Sequence, residues 1–343
     1  MKPLVSILIP AYNAEETIAE TLHSAVGQTW PHKEIIVVDD GSTDRTAEIA
    51  SSFGPAVTVV ATENRGLSAA VNCAYAHSRG DYIQELDSDD ILSPEKIERQ
   101  LGTLSDGDSK LLLLSSPWAP FHYRTRNAPF IETSLCEDLT PVEWILRKMA
   151  QNLHMQNATW LMSRELAETA GSWDERLRYD QDGEYYVRVV KACTGIRFVQ
   201  KAGVYYRNTR PGSISYIGNS NPKRDSLLRS MKLHIQYLRS LEESDRVRQA
   251  CVTYMQNWYD VFYPDREDAM AELQALALEL GGSLIEPRLR WKYRWMKPLF
   301  GWHAAKQAQM TLPQVKASWA RAWDKTMYRL ESRHADKRTA VKV

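Results

Sequence analysis

The chain has 343 residues, 43% hydrophobic and 25% charged, which suits a folded protein with one large domain plus an appendage, or two modest domains, and excludes a disordered one. Formal net charge is zero, so the overall balance gives no reason to expect a nucleic-acid partner. The balance is uneven, however: Glu286 to Val343 holds 14 Lys/Arg against 4 Asp/Glu, and the body before it is acidic by the same margin, which points to an anionic partner for the tail, with a membrane surface as the candidate.

Cys73, Cys136, Cys193 and Cys251 lie far apart and form no CxxC pair. They read as reduced thiols of a cytoplasmic protein, not a disulfide frame or a zinc site. The N-terminus enters a strand-like stretch without the pattern of a signal peptide. No apolar run approaches the roughly 18 residues needed to cross a bilayer, so any membrane contact is expected to be peripheral.

The first hundred residues alternate strand and helix. Val5-Ser6-Ile7-Leu8-Ile9 is a short apolar run, and Asn13 with Glu16 reads as an N-cap and its partner for a helix carrying Ile18, Leu22, Ala25 and Val26. Glu34 to Val38 is a β-branched, buried-type strand, followed by Ser42-Thr43-Asp44 as a helix cap. Val57 to Val60 is a third strand, then a helix with Leu67, Ala70, Val71, Ala74 and Tyr75 on one face. Asp81 to Leu86 is a fourth strand, and Ser93-Pro94 opens the next helix. Strands at this spacing pair in parallel through right-handed crossovers, giving an open α/β sheet with ligands at the carboxyl ends of its strands. A mixed stretch follows to about Ser215, and from Asp225 the pattern is helical, with stripes through Leu227, Met231, Ile235 and Leu238 and through Val247, Cys251, Tyr254 and Trp258. A weaker stripe runs through Trp319, Ala322, Trp323 and Leu330. The expected division is 1–220 for the α/β domain and 221–343 for a helical region.

Four clusters carry chemistry. Asp87-Ser88-Asp89-Asp90 directly follows the fourth strand; two carboxylates flanking one residue there can hold a hard divalent cation against a diphosphate, although an acidic capping turn would read similarly. Asp39-Asp40-Gly41-Ser42 follows the second strand, where a carboxylate can accept from a base N–H or a ribose hydroxyl. Tyr12, just past the first strand, can lie against a base or simply pack at an edge. In the run from Trp173 to Arg188, Asp182 precedes a glycine at a helix start and is the candidate general base, with Asp180 and Glu184 as rivals. No GxGxxG or GxxxxGK[ST] is present, so a nucleotide site here relies on carboxylates and a metal.

Together, Val5 to Asn13, Val38 to Asp44, Asn64-Arg65-Gly66, Gly80 to Ile83 and Leu86 to Asp90 resemble the family 2 glycosyltransferases, whose fold is the nucleotide-diphospho-sugar transferase type called GT-A. The resemblance covers about Lys2 to Ser215. It implies an inverting enzyme that moves a sugar from a nucleotide diphosphate, most often UDP, to a hydroxyl of a glycan or lipid-linked glycan. Pro10, Tyr12, Asp40, Arg65, Asp87, Ser88 and Arg207 would bind the donor. Asp89, with Asp87, would ligate Mn²⁺ or Mg²⁺, and Asp182 would be the base. The family's Glu-Asp pair is Gln181-Asp182 here, and the Gln-x-x-Arg-Trp motif of processive relatives is absent, which favours single addition. Tyr205-Tyr206-Arg207, with Arg210 and Ser213-Ile214-Ser215, resembles the loop that closes on the donor in relatives, where Arg207 or Arg210 would touch the diphosphate, and reads equally as a plain surface loop. Residues from His154 to Trp160 lie where acceptors are read, with Trp160 assigned to the core.

Two other classes stay in view. A sugar nucleotidyltransferase would want a glycine-rich basic loop that Pro10-Ala11-Tyr12-Asn13 does not supply. A degenerate scaffold or membrane-bound binding module would not need intact Asp40, Asp87, Asp89 and Asp182. In the tail, Trp291, Trp295, Phe300 and Trp302 among Arg288, Arg290, Lys292, Arg294 and Lys297 suit either an anionic membrane interface or a helical lid on the catalytic domain.

Overall fold

The computed structural model describes residues 2–208, 217–218, 220–289, 291–302, 304–306, 308–309 and 321–328. Arg210, Ser213 to Ser215, Arg290, Trp319 and Leu330 lie outside the described residues.

The expected alternation is present: β1 (Val5–Ala11), α1 (Ile18–Val26), β2 (Lys33–Asp40), α2 (Thr46–Ser51), β3 (Thr58–Thr62), α3 (Leu67–Ala76) and β4 (Tyr82–Glu85). After these come β5 (Ile91–Leu92), α4 (Lys96–Leu101), β6 (Leu112–Ser115), β7 (Trp118–Phe121), α5 (Pro141–Gln151), β8 (Met162–Ser163) and α6 (Arg164–Ala170). Then follow α7 (Gln181–Ala192), β9 (Gly195–Phe198), β10 (Val204–Arg207), α8 (Asn221–Leu241), α9 (Asp245–Trp258) and α10 (Glu267–Glu279).

The main sheet has strand order β3-β2-β1-β4-β8, parallel except for β8. Central β1 is buried at every residue, as expected for a parallel strand covered on both faces. Because β1, β2 and β4 run the same way, their carboxyl ends share one edge, with β2 and β4 on either side of β1. A second sheet, β5-β10-β7, starts from the chain leaving β4, which brings the end of β10 to the acidic turn after that strand.

Asn13 departs from the sequence reading. Helix α1 begins only at Ile18, and no side chain caps it. Asn13 instead adopts a left-handed backbone, donates its N–H to Ser42 Oγ at 2.9 Å and accepts the Thr43 N–H at 2.8 Å. Asparagine tolerates this conformation, so the residue turns the chain and ties the loop after β1 to the loop after β2. The N-cap of α2 is Arg45, without a side-chain cap bond, so the expected cap at Ser42-Thr43-Asp44 is not made; Asp44 accepts the Thr46 N–H at 3.0 Å from one residue further out.

One apolar core runs from the sheet into the helical region across the expected boundary at 220. Leu227, Met231, Ile235 and Leu238 of α8 and Val247, Cys251 and Tyr254 of α9 are buried in it. Trp160 is also core, 1% exposed and stacked on Tyr186 with ring centroids 5.6 Å apart.

Candidate active site

The candidate site lies at the carboxyl ends of β2, β1 and β4, with α7 joined to the end of β4 through Tyr186. With strands about 4.8 Å apart, the exits of β2 and β4 are separated by roughly 10 Å. Tyr12 lies between them at the end of β1, 48% exposed. Pro10 is buried within β1, opposite Val38.

On the β2 side, the Asp40 carboxylate accepts the backbone N–H groups of Arg65, at 2.9 Å, and Gly66, at 2.8 Å. It therefore fastens the loop after β3 to the rim. Gly41 serves the same close approach: its φ is +72°, and a Cβ there would come within 2.8 Å of the Asn64 nitrogen. The Arg65 guanidinium is exposed and paired with Glu175 at 2.8 Å, a contact of the kind that exchanges readily for a ligand.

On the β4 side, Asp87 and Asp89 are half-buried, and Asp90 is fully buried. Asp87 accepts from Asn157 Nδ2 at 3.0 Å. Burial, then repulsion from Asp89 and Asp182, pushes its carboxyl up to about 7. Asp90 is a brace: it accepts the Arg207 N–H at 2.8 Å and Gln156 Nε2 at 2.5 Å. Burial and the neighbouring Asp89 and Asp87 hold it well above the usual carboxylate range. The Ser88 carbonyl accepts the Thr17 hydroxyl at 3.0 Å, which fixes the turn against α1.

Asp182 lies in the first turn of α7, open to solvent at the mouth of the site. The protein mass around it, and then Asp180, raise its pKa above the ordinary aspartate value, while His154 and Lys148 pull it down. The rivals are engaged elsewhere. Asp180 is hydrogen-bonded by Ser230 of α8, and its carboxylate occupies the space a Cβ on Gly183 would need. Glu184 is 2% exposed and binds Arg188 at 2.9 Å and the Tyr237 hydroxyl at 2.8 Å. Asp89 and Asp182 both raise the pKa of Asp87, so the three carboxylates are near enough to repel one another.

Two findings lay outside the sequence reading. Glu85, the last residue of β4, is 3% exposed and accepts from the Tyr186 hydroxyl at 2.7 Å and Trp173 Nε1 at 3.1 Å. Burial pushes its carboxyl up to about 8, despite these two donors. It joins β4, which carries the acidic turn, to α7, which carries Asp182.

Arg207 was expected to grip the diphosphate. It is instead 6% exposed and committed to protein partners. Nε donates to the Asp89 carbonyl at 2.6 Å, another nitrogen binds Glu20 at 2.5 Å, and the guanidinium lies 4.5 Å from the Phe121 ring centroid. Pairing β10 with β5 and β7 fixes the backbone here and directs the side chain behind the acidic turn. In this structure Arg207 shapes the loop that presents Asp89.

Residues 6–152 match the model of the family described as glycosyl transferase family 2. That stretch, a little under half of the chain, is similar to the family. An uncharacterised glycosyltransferase of Rickettsia typhi is 31% identical over 192 residues, which cover 56% of this chain and 60% of the relative, so the chain spans about three-fifths of that protein. Among solved structures, Staphylococcus aureus TarS 1–349 in complex with UDP-GlcNAc superposes with a TM-score of 0.66 at 18% identity, covering 90% of this chain and 92% of TarS 1–349. The mannosyltransferase PcManGT of Pyrobaculum calidifontis, in complex with GDP-Man and Mn²⁺, superposes at 0.51 with 16% identity, covering 96% of this chain and 84% of that one. These likenesses establish the GT-A type of fold.

Among the described residues no group of three or more His, Cys, Asp or Glu side chains is arranged to hold an ion. Two carboxylates on one turn do fit a hard divalent cation whose other positions are filled by phosphate oxygens and water.

Proposed function

We propose that this protein transfers a sugar from a nucleotide diphosphate, with a UDP-sugar favoured, to a hydroxyl of a glycan or lipid-linked glycan, inverting the anomeric carbon. The observation that carries the reading is the 2.7 Å bond from the Tyr186 hydroxyl to Glu85, which joins the strand leading to Asp87 and Asp89 to the helix that carries Asp182, in a chain whose residues 6–152 resemble the family. The rim has the dimensions for such a donor. A base beside Tyr12 and the Asp40-bound loop leaves the diphosphate near the end of β4, about 10 Å away. The complexes of TarS with UDP-GlcNAc and of PcManGT with GDP-Man and Mn²⁺ support this class of donor.

Asp87 and Asp89 would hold Mn²⁺ or Mg²⁺, which supplies neutralisation of the charge that builds on the departing diphosphate. Asp182 takes the proton from the acceptor hydroxyl as its oxygen bonds to the anomeric carbon. The bond from that carbon to the diphosphate breaks on the opposite face. A carboxylate with a raised pKa is a stronger base, while Lys148 and His154 keep its charged form populated. Gln156 and Asn157 hold the acidic turn still, which limits reorganisation during transfer. The separate thiols favour a cytoplasmic enzyme, and an acceptor on a lipid carrier would bring it to an anionic membrane face.

The test is nucleotide-sugar turnover by Asp182→Asn. Donor binding should persist and turnover should fall by about 10²-fold or more. Full turnover in the variant would remove Asp182 from the chemistry.

A further inference from the structure

Two described stretches of the tail make different contacts, although Trp323 in the second is also 67% exposed. Residues 321–328 dock on the catalytic domain: Asp324 accepts the Tyr123 N–H at 2.9 Å and Arg124 Nε at 2.7 Å, and the Tyr328 hydroxyl donates to Glu20. The segment 288–302 is held by only one side. Trp302 and Ala305 are buried with Leu289 against Tyr263, with the Tyr263 and Trp302 ring centroids 4.9 Å apart.

The other side is left to solvent. Trp291 is 77% exposed, Trp295 60%, Leu299 68% and Phe300 61%, and the first three recur at every fourth residue. Arg288, Lys292, Arg294 and Lys297 are exposed among them, and none is in an ion pair among the described residues. The helical body treats its cations differently: Arg239, Arg246 and Arg248 are each bound to glutamates on or between α8 and α9. Large aromatic rings in water, flanked by unpaired cations, are costly on a purely aqueous surface. They match the boundary between headgroups and acyl chains, where indole rings settle and basic side chains meet anionic lipid. No helix among the described residues is long and apolar enough to cross a membrane, so the contact would be with one face only.

We propose that residues 291–300, with Arg288, form a docking surface for an anionic lipid bilayer. The charge decides the occupant: a second copy of this chain would bring the same unpaired cations together, whereas anionic headgroups neutralise them. The surface deepens the lipid-linked acceptor reading above and rests on that reading only for its purpose, because the segment contains none of the donor-site residues.

The full chain is sedimented with vesicles of pure phosphatidylcholine and with vesicles that also contain phosphatidylglycerol. Binding to the anionic vesicles only, weakening as salt rises, is expected. Each cation near an anionic surface contributes roughly a fivefold gain in affinity, so reversing Lys292, Arg294 and Lys297 to Glu should weaken binding by about a hundredfold or more. Trp291→Ala with Trp295→Ala should weaken it separately, with charge unchanged. Thermal unfolding and nucleoside diphosphate binding of both variants should match the parent, which separates this surface from the donor site. Equal vesicle binding by parent and variants would overturn the proposal, as would no binding by the parent, or self-association that the same substitutions abolish.

Discussion

Asp182 sits in a small charge network that can be read by titration. Its pKa is raised by the desolvating protein around it and by Asp180, against the pull of His154 and Lys148. A base works deprotonated, so activity should fall as pH drops through a value above the ordinary aspartate pKa near 3.9. Asp180→Asn removes one repelling charge, and the acid limb of the kcat/KM profile should then move to lower pH. An unmoved limb would show that another group sets it. The positions of Asp87, Asp89 and Asp182 were legible in the sequence because each follows a recognisable strand or opens a recognisable helix, while their roles rest on the proposal. Glu85 was not, since periodicity marks it only as a strand residue and cannot show that Tyr186 and Trp173 converge on it. Arg207 was misread for a related reason: its place after Tyr205-Tyr206 is visible in the sequence, but its inward direction depends on the pairing of β10.

At the scale of elements, two joints hold the site together. Glu85 binds α7 to β4 through Tyr186, so Tyr186→Phe leaves a buried carboxyl one donor short. That should cost about 1–3 kcal/mol, measured by denaturant unfolding, and should reduce turnover more than donor affinity because it loosens Asp182 against Asp87. Arg207 binds β10 to the acidic turn and to α1. Arg207→Ala keeps the backbone N–H that Asp90 accepts but removes the side-chain bond to the Asp89 carbonyl and the partner of Glu20, and should cost on the order of 3 kcal/mol. A variant with parental stability and weakened diphosphate binding alone would return Arg207 to the donor-facing role. The strand and helix order was readable because parallel strands are apolar throughout and helices repeat with their own period. The helix start at Ile18 was not, because Asn13 has the chemistry of a cap and spends it on the neighbouring loop.

On the scale of the whole molecule, the tail reaches the acidic turn through protein contacts. Tyr328 donates to Glu20, Glu20 accepts from Arg207, and Arg207 holds the carbonyl of Asp89. Tyr328→Phe should therefore weaken Mn²⁺-dependent nucleoside diphosphate binding by a few-fold, by calorimetry, with little change in binding without the metal. The sequence framed the tail as either lid or membrane face. The structure gives a docked part at 321–328 and an exposed aromatic part at 291–300, a division that charge and composition alone could not reveal.

The most direct test of the central claim is the unfolding temperature of the parent and of Asp89→Ala, titrated with UDP or GDP in Mn²⁺ and again in EDTA. Binding at a hundred times Kd stabilises by about 2.7 kcal/mol, so one nucleotide should raise the parent's midpoint by several degrees in Mn²⁺ and much less in EDTA. Asp89→Ala should show no such difference. The same Mn²⁺-dependent rise in the variant, or none in the parent with either nucleotide, would contradict the account.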